Sequence, residues 1–251
     1  MNKEEVMKMN QDGWNKLIKN NCNHSNTSLP EYGPFMENEE KLQLFKDVEN
    51  KKVLELGCAA GKSLAYLRQK GASEVWGLDI SEEQIKKAID LSIPNSHFII
   101  SPMEDIVDEI PANYFDYVLS LYSIGFSADL KESFISANHY LKENGKFILC
   151  WTHPFFNTLT LENDKILVGR SYLDENVKEI TKSDMHIPMA QFNYKISTLV
   201  NSLIDTGFVI DQMIEENTIT ENHIGNYQSS YWDARKLGVA PTTLIIIAHK
   251  K

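Results

Sequence analysis

The chain has 251 residues, enough for one large domain or one domain carrying a sizeable insertion. Apolar residues make up 42% of it and the net charge is −10, so a buried core is expected and a broad basic face for a nucleic-acid backbone is not. Its three cysteines, Cys22, Cys58 and Cys150, lie far apart with no C-x-x-C, which argues against a metal site or a disulfide framework and for reduced, buried thiols.

The N-terminus, "MNKEEVMKMNQDGW", has no apolar run of signal-peptide length. No window reaches the ~20 apolar residues of a membrane span, so a cytoplasmic protein without a membrane partner is expected. Residues 1–45 precede the first strand and are read as a helical segment that acts as a lid. From residue 52 to about 150, apolar runs alternate with helix-like stretches. "KVLELG" (52–57) reads as a strand and "KSLAYLRQKG" (62–71) as a helix closed by Gly71. "EVWGLDIS" (74–81) is a second strand. "SEEQIKKAIDLS" (81–92) is a helix with Ser81 as N-cap and acidic residues in its first turn. "HFIIS" (97–101) and "FDYVLSLYS" (115–123) are further strands. "LKESFISANHYLKENG" (130–145) reads as a helix ending at a glycine, and "KFILCW" (146–151) as the fifth strand. Continuous apolar strands with helices between them mean a sheet covered on both faces. Residues 154–190 show no clear period. The rhythm returns with a helix at 196–208 and strands at 209–216 and 242–251. The stretch between those last strands holds the aromatic cluster "YQSSYWDARKLG" (227–238).

The turn "ELGCAAGKS" after the first strand narrows the ligand. A phosphate loop needs G-x-x-x-x-G-K-[ST], but Gly57 and Gly61 are one residue too close. A dinucleotide turn wants G-x-G-x-x-G, and here the second and third positions are Ala59 and Lys62. What remains is a nucleoside ligand without phosphates. "ELGCAAG" resembles the E/D-x-G-x-G-x-G turn of the class I S-adenosylmethionine-dependent methyltransferases, with Ala59 in place of the middle glycine. Asp79 stands where that family has the acidic residue that holds both ribose hydroxyls. A carboxylate suits a cis-diol because it accepts two strong bonds. "SPMEDI" (101–106) resembles the adenine loop, with Pro102 where many relatives carry an aspartate. Met103 is placed to cover the adenine and Glu104 to hold its edge, unless Glu104 simply begins a helix. The strand and loop at 114–126 resemble those that face the methyl group. "LKENGKFILC" (141–150) resembles the turn into strand five.

The resemblance implies a Rossmann-like α/β fold, doubly wound, with a seven-stranded mixed sheet whose last strand is antiparallel. The methyltransferase domain then spans 46–251, with cap insertions at about 154–190 and 217–240. It implies S-adenosyl-L-methionine as cofactor, held by Glu55, Gly57, Cys58, Ala59, Gly61, Asp79, Ile80, Met103, Glu104 and Ser120. The implied reaction is in-line methyl transfer. A small-molecule acceptor is favoured over nucleic acid by the acidic charge. The sulfonium is already activated, so the protein need only align a nucleophile and exclude water. His153, beside Phe155 and Phe156 after strand five, is the candidate base, as is Tyr122 after strand four. Two other readings share the sheet: a cofactor-binding protein without turnover, and a nicotinamide-dependent reductase. The lysine at the third glycine position and the lack of a Tyr-x-x-x-Lys dyad count against the reductase.

Overall fold

The computed structural model describes residues 1–20, 29–182, 185–218 and 232–251. Cys22, His24, His223, Tyr227, Tyr231 and most of the 217–240 cap lie outside the described residues. The chain opens with helix α1 (Lys3–Lys19), started by a capping box in which Asn2 and Glu5 bond each other's backbone. A single turn, α2 (Glu39–Leu42), follows. The alternating core then runs β1 (Lys52–Leu56), α3 (Lys62–Gln69), β2 (Glu74–Asp79), α4 (Glu82–Asp90), β3 (Ser96–Ile100), β4 (Phe115–Leu121), α5 (Leu130–Tyr140) and β5 (Leu141–Thr152). After an insertion come α6 (Ile196–Asp205), β10 (Phe208–Ile214) and β11 (Thr243–Lys250).

The strands form one seven-stranded sheet in the order β10-β11-β5-β4-β1-β2-β3. β11 runs antiparallel between β5 and β10, and the pairs from β3 across to β5 are parallel. This is the architecture the sequence implied. Alternation along β1 sends Leu54 and Leu56 to one apolar core and Val53 to the other. Phe134, Leu199 and Leu203 close the first face, and Leu64, Leu67 and Ile85 the second. The order of strands reverses between β1 and β4, the switch point at which open α/β sheets bind ligands beyond their carboxyl ends.

Three elements differ from the expectation. α5 stops at Tyr140, not at Gly145, because Leu141 is already extended and pairs with Phe115. Pairing resumes at Lys146 with Tyr117, and Asn144, at φ 59°, helps the extra residues loop out. Second, the crossover from β3 to β4 contains turns and no helix, so Glu104 begins none. Third, the insertion at 154–190 is not irregular. It holds two antiparallel hairpins, β6 (Leu159–Glu162) with β7 (Lys165–Val168), and β8 (Lys178–Lys182) with β9 (Ile187–Gln191). Asn163 and Asp164, both left-handed, make the two-residue turn of the first. Among the described residues no helix is long and apolar enough to cross a membrane.

Candidate active site

β1 ends at Leu56 and the chain turns at once. Gly57, Ala59 and Gly61 all have positive φ, at 72°, 46° and 72°. Glycine adopts that region freely, whereas a residue with a side chain is strained by roughly 1–2 kcal/mol. A Cβ at Gly57 would stand 2.4 Å from Ser123 Cβ, so the turn has no room for one. The amides of Gly57 and Cys58 both donate to the Leu78 carbonyl, at 2.8 and 2.9 Å. The Ala59 amide donates to Asp79 Oδ2 at 2.9 Å. The turn is therefore fastened to the end of β2, and the strained alanine is held by Asp79 itself.

Asp79 Oδ1 accepts from the Ser81 amide at 2.8 Å. Burial pushes the Asp79 carboxyl up to about 6, against the pull of these two amides. Glu55 is 3% exposed, and its Oε2 has no hydrogen-bond partner among the described residues. Burial, and then the charge of Asp79, raise Glu55 to about 8, while a bond with Ser63 opposes the shift. Leaving such an oxygen without a donor costs about 1–3 kcal/mol or more. The site thus holds two buried carboxyl groups and one open acceptor.

The other expected residues divide. Met103 is half-buried, and its Cε would lie 3.4 Å from a Cβ at Gly57, so it stands against the turn. The carbonyl of Ile80 accepts from Gln11 Nε2 at 3.0 Å, which brings α1 across this edge. Cys58 is buried, and burial raises its thiol well above the ordinary value, so it is no nucleophile. Glu104 does not present its carboxylate as an open adenine contact: it is buried and its Oε1 accepts from the Ala128 amide at 2.9 Å. Ser120 is fully buried and bonds Ser123 Oγ at 2.7 Å, and Ser123 donates to the Leu56 carbonyl. That pair braces the turn from below. Tyr122 has a positive φ of 55°, rare for an aromatic residue, and its hydroxyl bonds Thr243 Oγ1 at 2.6 Å. His153 is 4% exposed. Its Nδ1 accepts from the Phe155 amide at 3.2 Å, which leaves Nε2 as donor to Glu215 at 2.8 Å. Burial lowers its pKa despite Glu215, in keeping with a neutral ring. Both nitrogens are engaged, so His153 joins the ends of β5 and β10 and is not poised as a base.

The sequence reading missed the amides of α1. Asn10, Gln11 and Asn15 all turn inward onto backbone or hydroxyl groups of the core. Three amides on one helix, around Gly13, were the available signal.

Comparison with known proteins agrees with this geometry. A family model described as a methyltransferase domain matches residues 54–149, the segment from β1 to β5. An S-adenosylmethionine-dependent methyltransferase structure from Listeria monocytogenes, assigned that activity provisionally, superposes with a TM-score of 0.67 at 24% identity. The match covers 85% of this chain and 97% of that one. A second, from Mesorhizobium loti, gives 0.69 at 21% identity over 83% and 95%. An uncharacterized protein from Haemophilus influenzae is 27% identical over 189 residues, 69% of this chain and 73% of that protein. Residues 54–149 thus match a methyltransferase domain, and the chain shares the fold of the S-adenosylmethionine-dependent methyltransferase structures.

Proposed function

We propose that the chain transfers the methyl group of S-adenosylmethionine to a small-molecule acceptor. The observation that carries this reading is the open Oε2 of buried Glu55 beside Asp79, under a backbone turn that excludes side chains. A phosphate would be repelled by the Asp79 carboxylate, whereas a ligand with an ammonium group and a cis-diol satisfies both Glu55 and Asp79. Glu55 holds the amino group of the cofactor, Asp79 the ribose hydroxyls, and Met103 covers the adenine. The backbone of Gly57–Gly61 carries the methionine portion.

S-adenosylmethionine supplies a methyl group already activated on sulfur. The chain then has to bind, align and keep water out. Tyr122, fixed by Thr243, lines the acceptor side. Helix α1 and the two hairpins, 159–168 and 178–191, form the cover, whereas Tyr32, Met36 and Phe45 of the expected 1–45 lid pack in the core; most of the expected 217–240 cap lies outside the described residues. His153 braces that side and takes no proton. An acceptor that is already deprotonated or weakly basic suits a site without a poised base.

The test is calorimetry and thermal unfolding with S-adenosylhomocysteine, followed by a radiolabelled methyl-transfer screen over small molecules. At a hundredfold excess over its Kd, the ligand should stabilise the fold by about 2.7 kcal/mol. No heat and no shift at millimolar ligand sinks the cofactor assignment. A shift with NADH instead would move the chain to the reductases. Tight binding with no transfer to any acceptor would favour a binding protein without turnover, a reading to which the engaged nitrogens of His153 lend weight.

A further inference from the structure

Helix α1 and the β8–β9 hairpin are far apart in sequence, yet they meet in a seam beside the end of β2 and the loop after β4. Asn10 lies at its centre and is 2% exposed. Its Oδ1 accepts from the Ala190 amide at 2.8 Å, and its Nδ2 donates to the Ala190 carbonyl at 3.0 Å. The side-chain amide thus pairs with β9 as a neighbouring strand would. The same Nδ2 donates to the Phe126 carbonyl at 2.8 Å, in the loop after β4. One side chain therefore joins three segments at once, α1, β9 and the loop after β4, alongside the Trp14–Phe126 ring contact at 5.2 Å.

The seam is built for close approach. A Cβ at Gly13 would fall 2.1 Å from Met189 Sδ and 2.9 Å from the Pro188 carbonyl oxygen. A glycine inside a helix weakens it relative to alanine, so the contact with β9 explains its presence. Behind it, Leu17, Ile187 and Met189 form a small buried cluster against which Trp14, Phe126 and Ile180 pack.

Each side of the seam is anchored separately. α1 is fixed to the end of β2: Gln11 donates to the Ile80 carbonyl, and Asn15 Oδ1 accepts from Ser81 Oγ at 2.7 Å. The hairpin side is held where the Phe192 amide donates to the Gly125 carbonyl at 2.8 Å. Between the anchors, the arch spans the region from Asp79 to the loop after β4. Because β1 lies between β2 and β4, the Gly57–Gly61 turn that follows it falls between these anchors.

We propose that Asn10 is a positioning residue, the latch of a seam between α1 and β9 that parts to let the cofactor exchange. This rests on the reading that the cofactor lies on the turn at Gly57. Closed, the latch holds the loop after β4 against the ligand. Open, it loosens α1 and the hairpin together.

The test uses the full chain, its Asn10→Ala and Gly13→Ala variants, and S-adenosylhomocysteine as probe, with tryptophan fluorescence in a stopped-flow instrument. Melting curves establish that each variant is folded. Losing the latch should raise the association and dissociation rates together, by roughly fivefold each, the scale of one net hydrogen bond. Gly13→Ala should do the same by prising the seam apart with Asn10 intact. A role in shape alone would raise only the dissociation rate. That outcome, or unchanged rates in both folded variants, overturns the proposal. Hydrogen exchange without ligand is the second measurement. In Asn10→Ala, residues 3–19 and 187–191 should exchange faster together while 52–56 and 115–121 stay as in the wild type. Faster exchange on one side only overturns the coupling. A wild-type chain that binds no S-adenosylhomocysteine overturns the cofactor reading instead, and the exchange data then decide alone whether the seam acts as a unit.

Discussion

Glu55 and Asp79 set the behaviour of the site with pH. Both have folded-state pKa values above the ordinary ones, about 8 against 4.5 and about 6 against 3.8. An acid of this kind stabilises the fold fully below its ordinary pKa and loses that contribution as pH rises through the folded value. The slope is about 1.4 kcal/mol per pH unit for a group that is ionised only in the unfolded chain. The free protein should therefore weaken between pH 5 and 8, and Glu55→Gln should flatten that decline and be the more stable protein at pH 8.5. Thermal unfolding across this range decides it; parallel curves would mean Glu55 is already ionised and satisfied. An ammonium group from the ligand reverses the preference. S-adenosylhomocysteine should bind more tightly as pH rises toward 8 and release a proton below that, which calorimetry in two buffers measures. Asp79→Ala removes the acceptor of two amides as well as of the ribose, so affinity should fall at least tenfold, about 1.4 kcal/mol or more. A variant that binds as the wild type does would put the ribose elsewhere.

At the scale of elements, the legible parts were those with a strong period or an end signal. Ser81 shows why. Its hydroxyl caps the Gln84 amide at 3.2 Å, as a serine before an acidic first turn implied, and it also donates to Asn15 of α1. Ser81→Ala should cost about 1–2 kcal/mol in denaturant unfolding. Ser81→Asp keeps the cap and should recover part of that; if both variants unfold alike, the bond to Asn15 carries the whole effect. The hairpins at 159–168 and 178–191 were not legible because each strand is only four or five residues long and mixes charge with apolar residues. Their signal lay in the turn, Asn163-Asp164, not in the strands. The roles of His153 and Glu104 were hidden for another reason. Their partners, Glu215 and Ala128, are set by tertiary contact, and no local spacing announces a partner 62 or 24 residues away.

On the proposed reading, the molecule has a body, the seven-stranded sheet with its helices, and a cover made of α1 and the two hairpins. The body is a sheet with two extensive apolar clusters, one on each face. Tyr32, Met36 and Phe45 belong to the body, and the cover is joined by less: Leu17, Ile187 and Met189 with Trp14, Phe126 and Ile180 in one place, and Phe156, Leu159 and Ala240 in another. Local opening follows buried apolar contact, so the cover should open without the body. Native-state hydrogen exchange at rising guanidinium concentration separates the two. Amides of β1 and β4 should exchange by global unfolding, with rates that climb steeply with denaturant. Amides of α1 and β9 should exchange at least ~100-fold faster in water, about 2.8 kcal/mol lower in opening energy, and with little denaturant dependence. Saturating S-adenosylhomocysteine should slow the cover amides by closing the arch on the ligand, while transfer to an acceptor requires that closure to keep water from the sulfur. If the cover amides in the free protein are as protected as those of β1 and β4, the cover is a fixed part of the core. Exchange of cofactor would then need a path that avoids α1 altogether.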